Sequence, residues 1–199
     1  MNTIRAIAFA PVALTAALVL AGCSPQQPAM PGMNHESGMM GDSGSVDFND
    51  ADVMFATMMI PHHQQAIEMA ESVLSKENVD PQVVDLATKI EDAQAPEIET
   101  MQGWLEEWRV ADGRDDIGGM DHGDGMMSQD DMATLEAAAG PEAGRLFLEQ
   151  MIVHHEGAIQ MSETEVKSGQ NPDAVALAKK IVTDQTTEIA TMEELLAQR

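Results

Sequence analysis

The chain contains no tyrosine, two tryptophans and four phenylalanines among 199 residues. A core built from such a sequence must rest on aliphatic residues, alanine and methionine, which favours packed helices over a sandwich. Cysteine occurs once, at Cys23, so no disulfide can close within the chain and no cysteine cluster can hold a metal. Basic residues are scarce as well. Ten Lys and Arg against 34 Asp and Glu leave a formal charge of −24. This argues against nucleic acid as a partner, because its phosphates need a basic patch. An acidic surface concentrates cations, although simple solubility accounts for many of the same charges. At this length the chain suits one domain plus tails.

Arg5 begins a processing signal: residues 6–20 are mostly apolar, and Leu20-Ala21-Gly22-Cys23 follow. The apolar run is short for a membrane span. Its ending resembles a bacterial lipobox, in which the cysteine is lipidated and becomes the first mature residue. This predicts a signal peptide over residues 1–22 and an exported protein, lipid-anchored through Cys23 on the extracytoplasmic side of the cell membrane. Loss of residues 1–22, which hold Arg5 and no acid, would take the charge from −24 to −25. An ordinary signal peptide with an incidental cysteine is the alternative.

Methionine is abundant, at 17 residues. Residues 23–46 are rich in Pro, Gly, Ser and Met without apolar periodicity, and read as a flexible tether. Met30, Met33, His35, Met39 and Met40 stud it, and a tether has no core for them to fill. A capture arm for a soft metal is one explanation. The Gly/Asp-rich linker at 109–127 carries Met120, His122, Met126 and Met127 in a similar setting.

The remainder, a domain over 47–199, is a repeat. Residues 58–71 (MMIPHHQQAIEMAE) match 150–163 (QMIVHHEGAIQMSE) at an offset of 92. Further on, Gln94, Glu97 and Met101 recur as Gln185, Glu188 and Met192 at an offset of 91. Helices are predicted from about Asp50 to Lys76, from Pro81 behind an Asp80 cap to about Trp108, from Pro141 to about Lys167, and from Pro172 behind Asn171 to the C-terminus. A short extra helix is predicted behind Ser128 and Asp131, which read as a capping box. Pro61 must either kink the first helix or mark a second start. Two amphipathic hairpins, at about 50–108 and 141–199, must bury their apolar faces on each other. The predicted fold is all-α, a four-helix bundle with internal twofold pseudosymmetry.

Four of the six histidines sit in the repeated pairs His62/His63 and His154/His155. Adjacent helical residues point about 100° apart, so one ring of each pair should face the bundle axis and the other a neighbouring helix or solvent. Phe55 and Met69 share the face of His62, which makes His62 and His154 the inward pair. Met59 lies one turn from His63, and Met151 one turn from His155, a spacing that permits an i, i+4 His–Met chelate in each copy. Imidazole with thioether and no thiolate is a soft-to-borderline set that favours copper, Cu(I) above Cu(II), over Mg²⁺ or Ca²⁺. Zinc has little use for methionine. The inward Glu-x-x-His of di-iron bundles is absent. The competing reading is that these histidines and methionines simply fill the core.

The strings MIPHHQQAIEMA and FLEQMIVHHEGAIQMSE, with the Gln-x-x-Glu-Ile-x-x-Met of the following helices, resemble the bacterial family called domain of unknown function 305, over about residues 47–196. The resemblance implies an exported or lipid-anchored, ferritin-like helical bundle associated with copper. By position it implicates His62, His63, His154, His155, Met59 and Met151 as metal ligands, with Met69, Met161, Met101 and Met192 as further candidates. Asp52 fits an acidic position of the family in the first copy, whereas the second copy has Gly144 there, so the halves need not bind metal equally. The expected function is a copper-binding lipoprotein that sequesters or passes on copper, with copper ions and a copper donor or acceptor protein as partners. No enzymatic activity and no organic cofactor are expected. The alternatives are a structural or interaction module with core histidines, and a metal-dependent redox enzyme. Since binding requires neutral imidazole, the histidine-dependent part should weaken below about pH 6.

Overall fold

A computed structural model of the chain describes residues 48–110 and 125–198. The signal segment, Cys23, the tether with Met30, Met33, His35, Met39 and Met40, and the linker residues Met120 and His122 lie outside them. The described residues form five helices and no strand: α1 (Asp50–Leu74), α2 (Pro81–Glu107), α3 (Gln129–Ala137), α4 (Gly140–Ser168) and α5 (Pro172–Ala197). The all-α expectation is met, by four long helices and one short one.

The helix starts follow local chemistry. Asn49 caps α1 and forms a capping box with Asp52, and Ser128 forms one with Asp131 at α3. Asp80 and Asn171 cap α2 and α5, each ahead of a proline whose missing N–H costs the first turn nothing. Pro61 lies inside an uninterrupted α1, so it marks no second start.

α1 packs along α2 and α4 packs along α5, which gives the two hairpins, and the hairpins meet mainly through α1 against α4. α1 and α4 run antiparallel. The late part of α1 (Met69, Val73) lies with the early part of α4 (Phe147, Met151), and the early part of α1 (Phe55, Met59) lies with Ala158 of α4. The core accordingly falls into two apolar clusters, one at each end of this seam. The first holds Met69 with Met151 and Met192. The second holds Met59 and Met101, with Met161 packed against it. Exchange of the repeats converts one methionine trio into the other.

The end of the linker is pinned to this frame. Gln65 accepts the Met127 N–H at 2.7 Å and donates to the Met127 carbonyl at 3.0 Å. Gly125, at φ +100°, lies so close to Gly157 that a Cβ on it would come within 2.8 Å of the Gly157 Cα. Gly157 is the counterpart of Gln65 at the 92-residue offset. One copy thus offers an amide to the linker and the other a bare backbone.

Candidate metal centre

His62 and His63 lie near the middle of α1, and His154 and His155 near the middle of α4. The antiparallel crossing brings His62 against His154, with ring centroids 3.7 Å apart and ring planes inclined at 41°. These two are the inward pair, as their shared face with Phe55 and Met69 predicts. His63 and His155 point to the flanking helices instead. His63 Nε2 lies 2.8 Å from Glu97 Oε2 of α2, and His155 Nε2 lies 2.7 Å from Glu188 Oε2 of α5. Neither outer ring faces solvent, which removes that branch of the expectation: relative exposure is 1% for His62 and 0% for the other three.

Burial favours the neutral form of His62, His63 and His154. It lowers His62 from 6.5 to about 3, with the adjacent His63 and His155 adding to the effect. It lowers His154 well below its ordinary value, reinforced by His62, and lowers His63 despite the pull of Glu97 the other way. Burial alone would raise Glu97, but the hydrogen bonds from His63 and from Lys180, whose Nζ is 2.9 Å from Glu97 Oε1, hold it below its usual value. The centre therefore contains neutral imidazoles at its middle and ionised glutamate at its edge.

Both nitrogens of His62, both of His154, and Nδ1 of His63 and of His155 lack a hydrogen-bond partner although buried. Gln94 Nε2 and Oε1 and Gln185 Oε1 share that condition. A buried polar atom left unmatched costs about 1–3 kcal/mol, a cost that a bound ligand in this layer would relieve. Among the described residues no three His, Cys, Asp or Glu side chains converge on one point. A shell closed by those types alone is not built. The remaining soft donors are thioethers: Met59, Met69, Met101, Met151 and Met192 are fully buried in the two apolar clusters, and Met161 is partly buried. Neutral imidazole and thioether suit a soft monovalent cation, whose charge the low-dielectric site tolerates better than that of a divalent ion. The buried residues thus fit copper.

Sequence reasoning quoted Glu97 and Glu188 as parts of a repeated stripe without giving them a role. The signal was their spacing: once α2 folds back on α1, the repeated glutamates fall opposite the outer histidines.

A second buried polar group lies at one end of the α1–α4 seam, away from the histidines. Asp52 accepts the N–H groups of Asn49 at 2.6 Å, Gln170 at 3.0 Å and Asn171 at 2.8 Å, tying the start of α1 to the α4–α5 turn. Burial would raise it, but these donors and Glu165 hold it low. Burial and then the Asp52 carboxylate push Glu165 up to about 8. Gly169 leaves room for this acid, because a Cβ there would overlap the Glu165 carboxyl group. Asp52 is thus a strut between helices, which is a structural use for the residue that Gly144 lacks.

Among the described residues, no helix is long and apolar enough to cross a membrane. Residues 52–196 match the family model Domain of unknown function (DUF305). A DUF305 protein from Streptomyces coelicolor, named as a candidate secreted protein, is 34% identical, with 74% of this chain and 93% of that one covered and a TM-score of 0.68. A DUF305 fragment from Deinococcus radiodurans is 30% identical over 77% and 99% of the two chains, with a TM-score of 0.67. CopM in its Cu(I)-bound form is 31% identical over 74% and 96%, with a TM-score of 0.61, and Cu(II)-bound and Ag-bound forms of CopM match as well. No curated protein matches the chain.

Proposed function

We propose a function from the premise that this chain belongs to the DUF305 family: it binds copper, Cu(I) in preference to Cu(II), and sequesters or passes on the ion outside the cytoplasmic membrane. The observation that carries this reading is the layer of buried, neutral, unpartnered imidazole nitrogens between two methionine trios. The CopM structures with Cu(I), Cu(II) and Ag support copper binding, as forms of a similar protein that hold these metals on a similar fold. His62 and His154 are the central ligands in this reading, His63 and His155 the outer ones, with Met59, Met101 and Met161 on one side and Met69, Met151 and Met192 on the other. The chain acts by binding rather than catalysis, anchored through a lipid on Cys23, and exchanges copper with a donor or acceptor protein.

The test is anaerobic titration of the purified chain with Cu(I) against a competing chelator, beside a His62→Ala/His63→Ala/His154→Ala/His155→Ala variant checked for helix content by circular dichroism. Tight binding by the wild type and its loss in a folded variant is the expected result. Equal binding by both would move the site to the methionines outside this layer, and binding by neither would sink the copper reading. Turnover of Cu(I) oxidation would contradict the binding-only role.

A further inference from the structure

The repeated Gln-x-x-Glu stripe supplies more than helix packing. Glu97 and Glu188 occupy equivalent positions at the 91-residue offset, and each places a carboxylate oxygen within 2.8 Å of the Nε2 of an outer histidine. An ionised carboxylate can only accept hydrogen bonds. A neutral imidazole facing it must therefore carry its proton on Nε2, since the other tautomer would set a lone pair against an anion. The proton then cannot also be on Nδ1. In both rings Nδ1 is buried and has no hydrogen-bond partner, so a proton placed there would find no acceptor in the protein.

We infer that Glu97 and Glu188 are positioning residues that hold His63 and His155 as Nε2–H tautomers, leaving Nδ1 as the nitrogen each ring presents to metal. The assignment rests on the copper reading for its purpose, but the tautomers themselves are a property of the metal-free protein. A carboxylate on the far nitrogen of a ligating histidine fixes the ring's rotation and raises the basicity of the near one. The two halves are not equal in this respect. Lys180 Nζ lies 2.9 Å from Glu97 Oε1 and 2.8 Å from Asp184 Oδ2. The cation draws negative charge away from the Glu97 end of the His63 hydrogen bond. The position equivalent to Asp184 in the first repeat is Ala93, so that bridge has no full counterpart in the other half.

The experiment is long-range ¹H–¹⁵N correlation of the imidazoles in the full chain, uniformly ¹⁵N-labelled and metal-free, for the wild type and for Glu97→Ala and Glu188→Ala. The wild type should show His63 and His155 as single Nε2–H tautomers at pH 7. Each variant should convert only its own histidine to a tautomer mixture, and Cu(I) affinity should fall about 10- to 100-fold. An Nδ1–H tautomer in the wild type, or unchanged tautomers in folded variants, would overturn the inference. The wild-type spectrum decides it even where a variant does not fold. Nε2–H tautomers in a chain that takes up no copper would uphold the carboxylates' hold on the rings while refuting the copper reading, so the two failures are distinct.

Discussion

Acidification should unfold the metal-free protein through its histidines, by an amount that His62 allows to be worked out. Its folded-state value is about 3, against 6.5 when solvated. The folded form is therefore the weaker proton binder. The stability tied to this group is intact above 6.5 and is lost as pH falls from there towards 3. At pH 5 the unfolded ring lies about 1.5 pH units below its midpoint, which at about 1.36 kcal/mol per unit removes about 2 kcal/mol. His63 and His154 are lowered for the same reason and act in the same direction. Glu165 acts oppositely: raised from 4.5 to about 8, it gives stability that is full below 4.5 and fades as pH climbs through 8. The opposed slopes set maximum stability at about pH 7. The assay is urea unfolding followed by circular dichroism between pH 5 and pH 8.5, in chelator, for the wild type and His62→Gln. The variant should lose about 2 kcal/mol less than the wild type between pH 7.5 and pH 5. Parallel curves for the two proteins would refute a neutral, buried His62.

Copper affinity should follow a different pH course from the one that imidazole in water would impose. Because burial holds His62, His63 and His154 low, competition titrations at pH 7 and pH 5.5 should give the same Cu(I) affinity within about threefold, whereas a tenfold or larger loss would mean the ligands are solvated. Replacing the central pair as His62→Leu/His154→Leu should leave thermal stability unchanged or raise it by about 1 kcal/mol, since unmatched nitrogens give way to apolar groups of similar size. The same variant should lose the rise in melting temperature on adding Cu(I). Asp52→Ala strips an acceptor from three backbone N–H groups and should cost about 2–4 kcal/mol in urea unfolding. Gly125→Ala should be costly too, about 1–3 kcal/mol, because of its positive φ and the Gly157 backbone beside it.

What could be read from the sequence was whatever is periodic or local. The helix starts at Asp80-Pro81 and Asn171-Pro172, the Ser128–Asp131 box and the inward facing of His62 follow from spacing and capping chemistry. The helix order, the burial of all four rings and the glutamate partners depend on how one helix folds against another, which no window along one helix contains. The prediction that binding weakens below about pH 6 took the histidines at their solvated value, whereas burial moves the onset of proton competition to lower pH. The twofold repeat also hides a difference that appears only when the ends of the α1–α4 seam are compared. Asp52, Ser162 and Glu165 are buried at one end. Their repeat counterparts Gly144, Ala70 and Val73 are buried at the other, where Ala70 and Val73 join the apolar cluster. The sequence marks the loss of the acid at Gly144 and suggests unequal metal binding, but the fold sets that acid apart from the histidines, as a tie between the start of α1 and the α4–α5 turn. The difference between the two histidine–glutamate pairs comes instead from Lys180, which bonds Glu97 and which no repeat comparison singles out, because its counterpart Lys89 is also a lysine. Identity of residue type at matched positions therefore does not make the two halves of this protein chemically equal; the partner across the helix interface decides it.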